Sequence, residues 1–97
     1  MYETYGYVDG VRLDSLPSRY IHVSVFGGTI HVDYGQHASL REQRVNDKEG
    51  KKITFDRFAT YGLGALLNFF DYNGWEYKDN LVEPRSSNKF FVFNKKN

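Results

Sequence analysis

Leu66-Leu67-Asn68-Phe69-Phe70-Asp71-Tyr72-Asn73-Gly74-Trp75-Glu76-Tyr77 is the stretch on which the fold turns. Leu63, Leu66, Leu67 and Phe70 recur at spacings of three and four, which makes one apolar helical stripe. Phe58 extends that stripe backwards. Gly74 supplies the left-handed residue that ends a helix. Trp75 to Leu81 then reads as a strand. Trp75 itself is expected as a core anchor beneath the helix. The helix start is less sharply written. Asp56 or Thr60 could cap it, while Gly62 and Gly64 each weaken a helix by roughly 1 kcal/mol relative to alanine. Leu63 to Tyr72 is the firm part.

Outward from this junction the chain reads as hairpins. Tyr20 to Phe26 and Thr29 to Tyr34 flank Gly27-Gly28, a pair suited to a tight turn. Placing Phe26 opposite Thr29 pairs Val25 with Ile30, Val23 with Val32 and Ile21 with Tyr34 on an apolar face. Ser24 then pairs with His31 and His22 with Asp33 on a polar face. A slip of one residue would mix the two faces. Gly35 to Arg44 is polar, a loop or an edge. Val45 to Phe55 reads as a second hairpin turning at Asn46 to Gly50. After Leu81, a polar loop through Glu83 to Asn88 returns to Lys89-Phe90-Phe91-Val92-Phe93. Asn94 to Asn97 reads as a frayed tail.

Before these elements, Met1 to Ser18 reads as an N-terminal arm or small hairpin. Its Asp9-Gly10 lies between short apolar runs, and Pro17 closes it. Residues 19 to 95 form a single α+β domain. The expected architecture is an antiparallel sheet of hairpins with one amphipathic helix packed across one face.

In order, Asp33-Tyr34-Gly35-Gln36, Asp47-Lys48-Glu49-Gly50-Lys51, Leu67-Asn68-Phe69 and Gly74-Trp75-Glu76 resemble a pattern in small uncharacterised bacterial proteins. That pattern is a hairpin ending in Asp-aromatic-Gly-Gln, an Asp-x-x-Gly-Lys turn, and a helix with Leu-Asn-aromatic followed by Gly-Trp-Glu. The resemblance runs from about Ser18 to Lys95. It implies a compact α+β domain without an established activity. Met1 to Pro17 looks like an addition to the pattern, and Arg57 to Gly64 is longer than in it.

Composition narrows the function. The chain has 97 residues, 13 basic and 12 acidic side chains, a formal charge of +1 and no cysteine. Disulfides and thiolate metal sites are therefore excluded, and no long-range field favours nucleic acid or membrane. The first residues lack a basic segment followed by an apolar run, so no signal peptide is expected. No apolar stretch approaches the roughly 20 residues of a membrane span. A cytoplasmic domain, of a bacterium or phage, is the expectation. Eight tyrosines, eight phenylalanines and one tryptophan are more aromatic surface than a small core hides. Tyrosine suits interfaces, where its ring packs and its hydroxyl stays wet.

The expected function is thus non-enzymatic: a small adaptor or inhibitor-like domain binding another protein, with self-association as a further option. Tyr2, Tyr5, Tyr7, Tyr20, Phe26 and Tyr77 are the candidate interface residues. Edge strands such as Lys89 to Phe93 could pair two copies. An alternative is a nucleic-acid-binding module that uses Phe90 and Phe93 as stacking rings with Lys89, Lys95 and Lys96 as a basic rim. A second alternative is a metal or hydrolytic site around His22, His31 and Asp33, with His37 nearby. Asp beside His is half of a triad, but no nucleophile is placed to complete it. An ordinary cross-strand charge pair is the favoured reading. Asp47 to Glu49 lacks the ligand series of a calcium loop and reads as an acidic turn. No cofactor or metal is expected.

Overall fold

The computed structural model describes residues 4–26, 29–53, 64–81 and 89–96; the side chains of Phe26, Asn80, Leu81, Lys89 and Phe90 are not described. Among the described residues, seven strands and one helix follow in order: β1 (Tyr7–Val8), β2 (Val11–Arg12), β3 (Tyr20–Phe26), β4 (Thr29–Asp33), β5 (Val45–Asn46), α1 (Gly64–Tyr72), β6 (Trp75–Leu81) and β7 (Lys89–Lys95). A short 3₁₀ turn, Leu13–Ser15, lies between β2 and β3. The class is α+β. The strands form two antiparallel sheets, ordered β2-β1-β5 and β4-β3-β7-β6, rather than the single curved sheet expected from the hairpin order.

The β3–β4 register agrees with the alternation of the sequence. Phe26 faces Thr29, Val25 faces Ile30, Ser24 faces His31, Val23 faces Val32 and His22 faces Asp33. The pairing ends before Tyr34 because local side chains compete for the backbone. Asp33 Oδ1 accepts from Gly35 N at 2.8 Å, and Gln36 Oε1 accepts from Tyr34 N at 2.7 Å. The Gly27-Gly28 turn lies outside the described residues.

Two placements differ from expectation. Lys89–Lys95 is not an edge strand; it lies between β3 and β6 and pairs with both. Hairpin order cannot reveal this, because the β3–β7 pairing joins segments about seventy positions apart. Nor do Asn94 to Lys96 form a frayed tail, and Asn97 lies outside the described residues. Lys95 N donates to Arg19 O at 2.8 Å and Lys96 N to Gly74 O at 3.0 Å. At the opposite flank, β4 is bordered by the 35–44 segment: Val32 N donates to Gln43 O at 2.9 Å, and His31 bridges Arg44. Among the described residues, this leaves β6 as the unpaired edge of the larger sheet. A register shift between Tyr77 and Asp79 interrupts it, a common protection against edge-to-edge pairing.

In the smaller sheet, Val8 pairs with Val11 across Asp9-Gly10. Asp9 and Gly10 have φ of 53° and 79°, the conformation of a two-residue turn whose twist suits a hairpin. In the second hairpin β5 pairs with β1, and the returning side closes on β5 through an Asn46–Lys52 bridge and a bond from Ile53 N to Val45 O at 3.0 Å. Asp47 N donates to Lys51 O at 2.7 Å, while Asp47 Oδ1 accepts from Glu49 N and Lys51 N at 2.9 Å each. The acidic turn thus uses its carboxylate on its own backbone. Thr54 and Phe55 lie outside the described residues.

The described part of α1 buries Leu66, Phe69 and Phe70. Phe70 packs on Phe93 of the sheet, with ring centroids 4.7 Å apart. Phe69 lies off the stripe read from the sequence; it is buried because α1 has a second neighbour, the N-terminal segment. A Cβ on Gly6 would lie 2.8 Å from Phe69 Cζ. Leu63 and the candidate caps Asp56 and Thr60 lie outside the described residues.

The N-terminal segment shares the core of the rest. Val8, Leu13 and Leu16 are fully buried in the same apolar cluster as Val23, Ile30, Trp75 and Phe93. Three residues at the end of α1 tie it down. Asn73, fully buried, accepts from Gly6 N at 2.9 Å and donates to Thr4 O at 3.0 Å and to Phe69 O at 2.8 Å. Gly74 takes φ 88° with Asp14 against it. The Trp75 indole donates to Leu13 O at 2.8 Å.

Asn73→Ala is expected to lower stability by about 2–3 kcal/mol, since it leaves the buried Gly6 N–H without its acceptor and removes the side-chain donor to Thr4 O. Gly6→Ala is expected to cost about 1–3 kcal/mol through overpacking, because its Cβ would sit within 2.9 Å of Leu13, Phe69 and Val45. Denaturant midpoints of both variants measure this.

Candidate functional site

The end of α1 that anchors the N-terminal segment also carries a group of exposed rings. Tyr72 is the last residue of the helix and stands off its buried stripe. Tyr5 precedes β1 and is held nearby by the Asn73 bonds to Thr4 and Gly6. Their ring centroids lie 5.1 Å apart, and the two residues are 39 % and 41 % exposed. On β2, Arg12 lays its guanidinium 3.8 Å from the Tyr5 ring centroid. Asp14 fixes that guanidinium: Arg12 Nε donates to Asp14 Oδ1 at 2.9 Å, and Arg12 Nη2 pairs with Asp14 Oδ2. The result is a chain of contacts, Asp14 to Arg12 to Tyr5 to Tyr72, on the outer surface.

The candidate interface residues do not gather into one patch. Tyr5 belongs to this cluster, but its companion Tyr72 was not among them. Tyr7 is half-buried. Tyr20 and Tyr77 are exposed on opposite faces of the larger sheet, as their neighbouring partners Asn94 and Phe93 on β7 require. Tyr77 meets Phe93 edge-on at 6.0 Å, while the Lys78 ammonium lies 5.4 Å from the Tyr20 ring. Tyr2 and the side chain of Phe26 lie outside the described residues. The signal for Tyr72 was present: it falls outside the Leu66, Leu67, Phe70 stripe. What the sequence lacked was the closeness of Tyr5.

Two hollows of about 320 Å³ flank β6 and β7. One is lined by Leu67, Asn68, Asp71, Trp75, Glu76 and Tyr77, between α1 and the free edge of the sheet. The other is lined by Arg19, Tyr20, Asn94 and Lys95 at the sheet end. Near the first, Lys96 Nζ donates to Asp71 Oδ1 at 2.7 Å and to Asp71 O at 3.2 Å.

The nucleic-acid residues are differently placed. Phe93 is fully buried and offers no face to a base. The Lys95 ammonium donates to Leu16 O and lies 5.4 Å from the Trp75 ring, and Lys96 is paired with Asp71. The side chains of Lys89 and Phe90 lie outside the described residues. On the sheet face expected to be polar and open, Ser24 and His31 are only 7 % exposed. The 35–44 segment covers this region, with His31 Nδ1 2.9 Å from Leu40 O. His22 and Asp33 are cross-strand neighbours as expected. Among the described residues, no three histidine, aspartate or glutamate side chains converge to hold a metal ion, and no helix is long and apolar enough to cross a membrane.

No protein-family model, curated protein or solved structure matches the chain.

Hydrogen bonds from Arg12 hold the Asp14 carboxyl below its ordinary value of 3.8, outweighing partial desolvation. A carboxyl lowered in the folded state stabilises above its unfolded pKa, and that contribution fades as pH falls through the lowered native value. Asp14→Asn is therefore expected to flatten the acid side of the stability profile below about pH 4. The effect is small and salt-sensitive, because the pair faces solvent. Denaturant midpoints at pH 7 and at acid pH, with and without added salt, measure it.

Proposed function

We propose that this α+β domain is a non-enzymatic binding module that engages another protein, as an adaptor or an inhibitor that occludes its target. The observation that carries this reading is the Tyr5–Tyr72–Arg12 cluster. Tyrosine and arginine are the residue types that dominate binding energy at protein interfaces. Tyrosine contributes a large rigid contact area with only two side-chain torsions to order. Here the two rings already meet at a tilt of 40° and the guanidinium is already held by Asp14, so little further ordering is needed on binding. The tethered N-terminal segment and the helix end together present this surface.

A nucleic-acid role draws little support, because its stacking residue Phe93 is in the core and both terminal lysines are engaged. A hydrolytic role draws little either. Ser24 faces His31 across the strands, and His31 Nδ1 is engaged with Leu40 O. The balanced charge and lack of cysteine suit a cytoplasmic setting. The resemblance to small uncharacterised bacterial α+β proteins fits a domain of this size and shape.

The test is affinity capture from host lysate with the wild-type chain and with a Tyr5→Ser/Tyr72→Ser variant. One dominant protein is expected with the wild type, bound at least about tenfold more weakly by the variant, with the denaturant midpoint little changed. Recovery of nuclease-sensitive nucleic acid, or equal capture by the variant, overturns the reading.

A further inference from the structure

We propose that Asn73-Gly74 is a modification site that the fold guards. A chain left unfolded converts this asparagine to aspartate or isoaspartate, and the converted chain cannot refasten its N-terminal segment. The reactive feature is in the sequence. An asparagine side-chain amide can be attacked by the backbone nitrogen of the next residue, and glycine, with no Cβ, leaves that nitrogen unhindered. Asn73-Gly74 is the sole Asn-Gly pair in the chain. The reaction needs only water. Gly74 N loses its proton to solvent and bonds to Asn73 Cγ, the side-chain nitrogen leaves as ammonia, and a cyclic imide forms. Water then opens either carbonyl–nitrogen bond of the ring. One opening restores the normal backbone with an aspartate. The other leaves the chain running through the former side chain, as isoaspartate. The net change is one water consumed and one ammonia released, with no oxidation or reduction.

In the folded protein each requirement is blocked. Asn73 is fully buried, which keeps water and hydroxide from its amide. Both ends of that amide are held: Oδ1 accepts from Gly6 N at 2.9 Å, and Nδ2 donates to Thr4 O at 3.0 Å and to Phe69 O at 2.8 Å. These bonds fix the side chain in one rotamer. The attacking nitrogen is occupied as well, since Gly74 N donates to Asp71 O at 3.1 Å. Attack requires a close, aligned approach of the two atoms, so conversion waits for the end of α1 to open.

The same contacts make the change irreversible in its effect. An aspartate at position 73 has no N–H, so the side-chain donor to Thr4 O is lost. At neutral pH it brings a carboxylate against the carbonyl oxygens of Thr4 and Phe69 in a fully buried place, where an uncompensated charge is disfavoured. Isoaspartate lengthens the backbone between α1 and β6 and displaces Trp75, whose indole donates to Leu13 O at 2.8 Å. Either product unfastens the N-terminal segment, and with it the contact of Tyr5 with Tyr72. Neither step involves a partner protein.

The experiment incubates the full chain at neutral pH in buffer and, in parallel, in denaturant. Fragment masses and enzymatic labelling of isoaspartate locate the conversion. Asn68, exposed and followed by the bulky Phe69, is the internal control. Asn73 is expected to convert faster than Asn68 in denaturant, and at least about tenfold more slowly in buffer than in denaturant. Equal rates in buffer and denaturant, or no preference for Asn73 over Asn68 in denaturant, overturn the proposal. Asn73→Asp, expressed without any denaturing step, then tests the consequence independently of refolding. Trp75 is the sole tryptophan, so its indole N–H gives one resonance that reports the bond to Leu13 O. The variant is expected to lose the native position of that resonance and the protease resistance of the N-terminal segment. Converted chains, separated after removal of denaturant by their added negative charge, are expected to behave alike. Retention of both wild-type signatures by the variant or by the converted chains overturns the proposal.

Discussion

The buried side chain of Asn73 is the contact on which the rest of the structure depends. Its oxygen accepts from Gly6 N, and its amide donates to the carbonyls of Thr4 and Phe69. A polar group with no exposure is tolerated only when its bonding capacity is used. Here that capacity joins the N-terminal segment to the end of α1, almost seventy positions away. Once Gly6 is fixed, Leu13 N can donate to Gly6 O, and Leu13 and Leu16 enter the core. Trp75 adds its indole bond to Leu13 O. One short run, Asn73-Gly74-Trp75, thus closes the helix, starts β6 and fastens the beginning of the chain.

The same fastening makes the candidate binding surface. Tyr5 stands beside Tyr72 because Thr4 and Gly6, on either side of it, are bonded to Asn73. Arg12 reaches Tyr5 because the β1–β2 hairpin folds back at Asp9-Gly10. Stability and surface preorganisation therefore share a cause. Exposed rings are costly to order individually, but these are carried on a backbone that the core already fixes.

Much of the local structure was legible. The β3–β4 register followed from the strict alternation of apolar and polar residues, because a one-residue slip would expose every valine. The helix end followed from Gly74, which alone in that stretch adopts φ 88° without strain. The two-residue turn at Asp9-Gly10 followed for the same reason. Less legible was the side of each element that meets a distant neighbour. Phe69 looked peripheral to a helix with one buried face, and became core because the N-terminal segment covers a second face. His31 and Ser24 looked solvent-facing, and became buried because the 35–44 segment runs along β4.

By itself, the sequence determined the α+β class, the extent of most strands, the end of the helix and the presence of more tyrosine than a small core can hide. Each is set by interactions within a few residues: side-chain alternation, helical spacing, or backbone conformations that only glycine or aspartate readily adopts. Tertiary structure alone decided that the strands form two sheets, that Lys89–Lys95 is central, and that Tyr5 meets Tyr72 while Phe93 is lost to the core. These outcomes depend on pairings between segments about seventy positions apart. Such pairings are selected by the combined burial and hydrogen bonding of the whole chain, and no local pattern specifies them.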